Sequence, residues 1–317
     1  MKKFSVIIIS GLILLFGCLY FVNQNTEKNS NDQQKVVDSL KREVMIPKHP
    51  QRVVILNASN LELFCAAGGA EFIVGKPTSQ ALSKKIQLDT KDAAEVGVIH
   101  SPDVEKILEL KPDLVVGINV PFHHSLIPIL EAANIPLYVR ALDTYEDVIE
   151  TLDFYGKLMN KEQKAQEQID FVQAKYKQAL SLAEGKQTPK NLIIWGSTES
   201  FNMATGQSFV GDLVNRLGGN NIADHMEGET GSFVPLSMEY IAKENPEVIF
   251  LVTHSSDEKV NQKFQNELAK HPAWQGIQAV KNGRVYTLPY ELFAVNPGTQ
   301  VAEAMRILAE KLYPEGK

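Results

Sequence analysis

A proline-free stretch of 39 residues, Tyr145–Ala183, divides the chain into two halves of the same kind. It has helical periodicity and many Lys, Glu and Gln residues, and we expect one break near Met159–Lys161. Its second part, Glu162–Ala183, would be about 33 Å long at 1.5 Å per residue. On either side, short apolar runs alternate with helical segments, a pattern that predicts βα units and parallel sheets. The predicted fold is therefore α/β: two βα lobes with a ligand cleft between them, joined by a single long helix.

Two segments, one from each half, follow the same pattern. In both Glu105–Val116 and Glu239–Phe250, isoleucine follows the first glutamate by two positions and proline follows it by seven. An acidic residue and an apolar run come next in both. Helix–proline–strand junctions are also common in unrelated chains, but the shared glutamate favours two copies of one plan.

The N-terminus is interpreted as a targeting signal. A positively charged start is followed by an apolar run of signal-peptide length, Phe4–Gly17. The run leads into Cys18 through a sequence similar to a bacterial lipobox, although Phe16 stands where a small residue is usual. We expect cleavage before Cys18 and lipid on its sulfur, so that the protein is anchored at the extracytoplasmic face of the membrane. An uncleaved anchor over Phe4–Val22 and plain secretion are the alternatives.

These features define five predicted regions. Residues 1–17 form the signal peptide, 18–49 a lipid-anchored flexible spacer, 50–142 the N-terminal lobe, 143–186 the linking helices and 187–317 the C-terminal lobe. The spacer is assigned because residues 23–48 are mostly polar.

Composition excludes several functions. The net charge of −6 argues against nucleic acid as the main partner. Two cysteines, Cys18 and Cys65, are too few for a disulfide framework or a cysteine-based zinc or iron–sulfur site. The chain also lacks a phosphate-binding glycine loop, a serine-hydrolase elbow and a metalloprotease helix motif. We therefore expect a monomeric binding protein and not an enzyme.

Two histidines follow the pattern of a ligand site. His100 lies in the loop before the Glu105 helix, and His254 follows the apolar run Val248–Val252. Loops before helices and the carboxyl ends of strands share the edge where α/β sheets bind ligands. One histidine from each lobe could thus contact a ligand held between the lobes, whereas a structural role for either is the alternative. His123 and His124 are expected to be a solvated pair at a helix start, or rivals for the role of His100.

Four further segments carry a family resemblance: Ile73–Ser79, Glu95–Glu105, Ser208–Val214 with the following Gly218-Gly219, and Ala279–Tyr286. In this order they resemble the class III substrate-binding proteins of ABC importers for cobalamin, siderophores and haem, over about residues 50–315. The nearest resemblance is to the IsdE-type haem-binding lipoproteins of Gram-positive bacteria. In that family a methionine of the first lobe and a histidine of the second bind haem iron. The histidine falls on His254 and the methionine on His100, so the resemblance implies bis-histidine ligation here.

The resemblance also implies partners and a pocket. The resemblance implies that haem would be received from surface haem-donor proteins and delivered to an ABC permease and its ATPase for iron acquisition. Glu105 and Glu239 correspond to family glutamates that meet arginines of the permease. Haem has two anionic propionates and apolar faces. The residues expected to line the pocket are Ser59, Asn60 and Lys76 for the propionates, and Phe122, Phe209 and Phe233, with Val98, Ile99 and Phe293, for the apolar faces.

Three other functions remain open from the sequence. The same family resemblance permits a siderophore or cobalamin binder. A zinc or manganese binder would use His100 and His254 with His123 or His124. An extracellular enzyme is the third alternative.

Overall fold

The computed structural model describes residues 32–197, 199–253, 258–294 and 296–314. The predicted signal peptide, Cys18 and His254 lie outside these residues. Among the helices within them, none is long and apolar enough to cross a bilayer.

The N-terminal lobe contains a five-stranded parallel sheet with the strand order β5-β4-β3-β8-β9. Every residue of β3 and β8 is buried, as expected for strands that are covered on both faces. Side chains alternate between two apolar clusters, since Val53 and Ile55 lie on one face and Val54 on the other. The elements of this lobe are β1 Gln33–Val37, β2 Glu43–Pro47, β3 Val53–Ile55, α1 Ala58–Ala66, β4 Ile73–Lys76, α2 Lys84–Asp89, β5 Ala94–Glu95, β6 Gly97–Val98, β7 Ser101–Pro102, α3 Val104–Glu109, β8 Leu114–Gly117, α4 Pro121–His124, α5 Ile127–Ala132 and β9 Leu137–Val139.

Residues 33–47 form an antiparallel hairpin, although the sequence pattern assigned them to a flexible spacer. That part of the prediction is wrong. The hairpin buries Ile46 completely and its turn bonds to the edge strand β9, because the Ser39 amide donates to the Val139 carbonyl at 2.9 Å. Only one face of the hairpin is buried, so half of its residues can be polar. The sequence was therefore interpreted as a spacer and not as two strands.

Two helices connect the lobes, α6 Tyr145–Leu158 and α7 Glu162–Ser181, with the break where the sequence predicts it. Asn160 lies in the left-handed region, with a φ of 54°, and ends the first helix. The helices cross closely at Gly156, where a Cβ atom would lie 2.4 Å from the Cβ of Ala165.

The C-terminal lobe contains a six-stranded mixed sheet with the order β13-β11-β10-β14-β15, and with β12 paired to β10. Strands β10, β12, β14 and β15 are parallel. Strand β11 pairs antiparallel with β10 and β13 pairs antiparallel with β11, and the βα pattern does not predict these two additions. The last helix packs against α7 and α8. The elements are β10 Lys190–Gly196, β11 Phe201–Ala204, α8 Phe209–Arg216, β12 Asn220–Asn221, β13 Phe233–Pro235, α9 Met238–Glu244, β14 Val248–Thr253, α10 Glu258–Phe264 continued by a π-helical turn Gln265–Ala269, α11 Pro272–Gln275, α12 Gln278–Lys281, β15 Val285–Thr287, α13 Tyr290–Phe293 and α14 Val301–Leu312.

Candidate ligand-binding site

His100 lies in the turn of the small hairpin β6–β7, at the carboxyl edge of the N-terminal sheet. Its imidazole is exposed and packs edge-on against the ring of Phe122, with 5.3 Å between ring centroids and an interplanar angle of 69°. Phe122 is 47% exposed and Val98 is 46% exposed. Gly97 allows the hairpin, since its φ is +91° and a Cβ there would lie 2.5 Å from the Ser101 carbonyl oxygen. This edge therefore presents an imidazole and apolar surface to an incoming ligand.

His123 is buried completely, so the expectation of a solvated pair is wrong for this residue. Its Nδ1 accepts a hydrogen bond from the Ile118 amide at 3.0 Å. Burial lowers the pKa of His123 to about 4, although the main chain of Ile99 opposes that effect. The imidazole is therefore neutral at physiological pH and is part of the lobe's packing. His124 is half-buried, and both residues end the short helix α4 and do not begin it.

The C-terminal lobe presents a second aromatic pair, formed by Trp195 near the carboxyl end of β10 and Phe233, the first residue of β13. The rings of Trp195 and Phe233 lie 5.1 Å apart, and Phe233 is 44% exposed. Strand β14 ends at Thr253, which pairs in register with Gly196, the residue after Trp195. His254 follows Thr253 in the sequence but lies outside the described residues. Trp195 was missed by sequence reasoning, although its position at the end of an apolar run is the same signal that singled out His254.

The polar residues assigned to the propionates have structural partners instead. Asn60 is fully buried; its amide donates to Asn57 Oδ1 and the Arg140 carbonyl, and its Oδ1 accepts from the Tyr155 hydroxyl at 2.7 Å. Lys76 is 8% exposed and its ammonium donates to the Thr90 carbonyl at 2.8 Å. These two expectations are corrected, because the sequence located the residues but not the direction of their side chains.

Three other residues that were expected to line the pocket differ in how far they are buried. Ser59 is buried in the first turn of α1. Phe209 is half-buried and packs on the main apolar cluster, whereas Phe293 is 1% exposed and belongs to that cluster. Phe293 is therefore a core residue and not a surface for ligand.

Glu105 and Glu239 occupy equivalent places in the two lobes. Each is the second residue of its helix, α3 or α9, and each is exposed. The helix is capped in both cases by a side chain that accepts from the third amide, namely Asp103 in α3 and Ser237 in α9. Each helix leads through proline into a buried parallel strand, so the matched segments have the same local structure.

The lobes are joined by contacts that the sequence did not indicate. Glu62 of α1 accepts from the Thr299 hydroxyl at 2.6 Å and from the Thr299 amide at 2.9 Å. Arg216 of α8 forms an ion pair with Glu146 of α6 and a 2.7 Å hydrogen bond with Asp212. Partners separated by 237 positions leave no local signal in a single sequence.

Two α/β lobes that are joined by a pair of helices are the architecture of substrate-binding proteins of the kind used by transport systems. The family model described as periplasmic binding protein matches residues 53–292, and the chain belongs to that family. Members of the family are extracytoplasmic binding proteins that work with ABC permeases, which confirms the class III fold and the interpretation that this chain is not an enzyme.

The chain is similar to several characterised proteins. The high-affinity heme uptake system protein IsdE of Staphylococcus aureus (strain MRSA252) is 29% identical over 246 residues, which are 77% of this chain and 82% of IsdE. The crystal structure of S. aureus IsdE complexed with heme has a TM-score of 0.70 at 27% identity, covering 83% of this chain and 98% of that one. An ABC transporter substrate-binding protein from Listeria monocytogenes EGD-e has a TM-score of 0.72 at 25% identity, covering 84% and 99%. The petrobactin-binding protein YclQ from Bacillus subtilis shares the fold at 22% identity, with a TM-score of 0.70 and coverage of 88% and 99%.

Proposed function

We propose that this chain binds haem outside the cytoplasm and delivers it to an ABC importer. One observation carries the proposal: His100 presents an exposed imidazole beside the exposed ring of Phe122 at the ligand-binding edge. Imidazole is an axial ligand of haem iron, and an aromatic ring packs well on the flat apolar face of the macrocycle. The similarity to IsdE over most of both chains supports the same ligand.

His254 is the proposed second axial ligand. It directly follows the buried strand β14, whose last residue pairs with Gly196 beside the Trp195–Phe233 pair. A ligand between the two edges would then have His100 and Phe122 on one face, and His254 with the Trp195–Phe233 pair on the other. Two imidazoles give a strong ligand field, so we expect six-coordinate, low-spin ferric haem. Axial methionine raises the potential, so bis-histidine ligation favours the ferric state.

Haem titration followed by visible absorption tests the proposal. The wild-type chain is expected to bind one haem and to give a low-spin ferric spectrum. His254→Ala should lose haem or hold it five-coordinate, and His100→Ala should give a high-spin spectrum. His124→Ala is the matched control, because this histidine is near the same edge but is half-buried, and its spectrum should equal that of the wild type.

Two results would contradict the proposal. A chain that stays colourless with haem but binds a ferric siderophore, cobalamin, zinc or manganese is a binding protein for that ligand. A His100→Ala variant with the wild-type spectrum and affinity refutes the bis-histidine assignment.

Lipid on Cys18 is the proposed means of retention at the membrane, supported by the apolar run and the lipobox-like sequence before it. A diacylated cysteine binds a membrane firmly. A Cys18→Ala variant should therefore appear in the medium or remain as an unprocessed precursor. Membrane-bound protein of mature size in that variant would favour the Phe4–Val22 anchor instead.

A further inference from the structure

We propose that His123 is a positioning residue for the haem site: its buried ring fixes the turn that carries Phe122 relative to the hairpin that carries His100. The inference rests on the proposed function, in which His100 is an iron ligand. His123 would not contact haem itself.

The first contact of the His123 ring is a hydrogen bond to Ile118, which fixes the backbone directly after strand β8. Ile118, directly after that strand, donates its amide hydrogen to Nδ1 of His123 at 3.0 Å. A nitrogen that accepts a hydrogen bond carries no proton, so in the neutral imidazole the hydrogen is on Nε2. The residue before His123 is Phe122, so this hydrogen bond determines where the turn presents the exposed phenyl ring.

The second contact involves the hairpin. Helix α4, which contains His123, packs against strand β7 of the hairpin, and β7 directly follows His100. Nε2 of His123 is fully buried and has no hydrogen bond of good geometry within the described part of the chain. His123 is thus adjacent to Phe122 in the chain and lies in the helix that packs on the hairpin, and Phe122 and His100 form the exposed pair with 5.3 Å between ring centroids.

The third contact is the close packing of the ring against Gly117, where only a residue without a side chain fits without moving the ring. A Cβ added at Gly117, the last residue of β8, would lie 3.0 Å from Nδ1 and 3.5 Å from Cβ of His123. Groups behind a metal ligand that fix its orientation commonly change metal affinity 10- to 100-fold when they are removed. Here the orienting group acts through packing: His123 is adjacent to Phe122 in the chain, and its helix contacts the strand that follows His100.

Two substitutions separate positioning from bulk packing. His123→Asn keeps an oxygen that can accept from the Ile118 amide, whereas His123→Leu fills the space without an acceptor. We expect His123→Leu to weaken haem binding about 10-fold and to produce a mixed-spin ferric spectrum. His123→Asn should restore the low-spin spectrum. Gly117→Ala, which moves the ring from behind, gives a second route to the same change if His123→Leu fails to fold.

The outcomes distinguish this inference from the proposed function. If the wild type binds no haem, the proposed function fails. If the wild type is low-spin and His123→Leu or Gly117→Ala keeps its spectrum and affinity, the positioning role is overturned although the function stands. If His123→Leu loses an axial ligand while His100→Ala stays low-spin, His123 is itself the ligand, which also overturns the positioning role.

Discussion

The side-chain carboxyl group of Glu62 is buried where the N-terminal lobe contacts Thr299 of the C-terminal lobe. Both of its oxygens accept hydrogen bonds from Thr299, and Gly298 is required beside it because a Cβ there would overlap the carboxylate. Burial raises the pKa of Glu62 above 4.5, whereas the two hydrogen bonds from Thr299 and the charge of Lys85 oppose that rise. The residue therefore joins the lobes at the cost of keeping a carboxyl group away from water.

The raised pKa predicts how stability depends on pH. In the unfolded chain the pKa of Glu62 is near 4.5, whereas in the folded chain burial disfavours the ionised form and raises the pKa. The contribution of this group is thus complete below pH 4.5 and is lost as pH rises through the folded pKa. Glu62→Gln should remove this part of the slope in urea unfolding between pH 4.5 and 7.5. Equal slopes for the two proteins would contradict the prediction.

At the level of single residues, the sequence predicted positions better than contacts. The position of His100 before a helix predicted that it lies at the carboxyl edge of the sheet, and the structure places it in the β6–β7 turn at that edge. Lys76 and Asn60 also lie near loops of that lobe, but their side chains turn inward to Thr90, Asn57 and Arg140. Side-chain direction depends on neighbours far away in the chain, so periodicity and spacing alone do not determine it.

At the level of elements, the alternation of strands and helices predicted the two lobes and the broken connection, but not the hairpin Gln33–Pro47. The hairpin is held by Asp38, which is 3% exposed. Its Oδ1 accepts from the amides of Leu40 and Arg42, and its Oδ2 accepts from the Arg42 guanidinium at 2.6 Å. The same guanidinium donates to the Leu137 carbonyl of β9, so one network holds the turn against the edge strand.

Asp38→Ala should loosen this hairpin. It leaves buried donors without an acceptor, and we expect the free energy of unfolding to fall by about 1–3 kcal/mol. Amide exchange should increase at Ser39, whose amide bonds to β9. Lys35→Ala is the control, since its ion pair with Glu43 on the same hairpin is exposed and should contribute only about 0–1 kcal/mol. Similar losses in the two variants would show that the Asp38 network is not what holds the element.

At the level of the whole molecule, the exposed glutamates Glu105 and Glu239 lie on the side of the two lobes where the strands end. Glu105 and Glu239 begin helices that follow the loops at the carboxyl edges of the two sheets, so they lie on the same side as the aromatic pairs. The double variant Glu105→Ala with Glu239→Ala should reduce haem import while haem affinity stays unchanged. Each exposed ion pair contributes little, about 0–1 kcal/mol, so the single variants should show small effects.

A matched double variant removes the same charge elsewhere. Glu109 and Glu227 are exposed glutamates, one in each lobe, and replacing both with alanine should leave import unchanged. Import is measured as haem-dependent growth and as uptake of labelled haem. Normal import in the Glu105 and Glu239 double variant, or equal loss in both double variants, would refute a docking role.

The position of the hairpin Gln33–Pro47 determines from which end of the N-terminal lobe the chain leads to the proposed lipid on Cys18. The base of the hairpin lies by Gln33 in a groove with Pro112 and Pro136, which precede strands β8 and β9, whereas the ligand edge is at the opposite ends of those strands. Gln33 thus lies at the end of the N-terminal lobe opposite to the proposed ligand edge. With lipid on Cys18, the fourteen residues Leu19–Asp32 would span at most about 50 Å between the membrane and the hairpin. A folded chain of about 280 residues has a radius of gyration of about 19 Å, so the path round half of the body is at least about 60 Å. A segment of about 50 Å is shorter than this path, so it would keep the carboxyl edges of the sheets turned away from the bilayer.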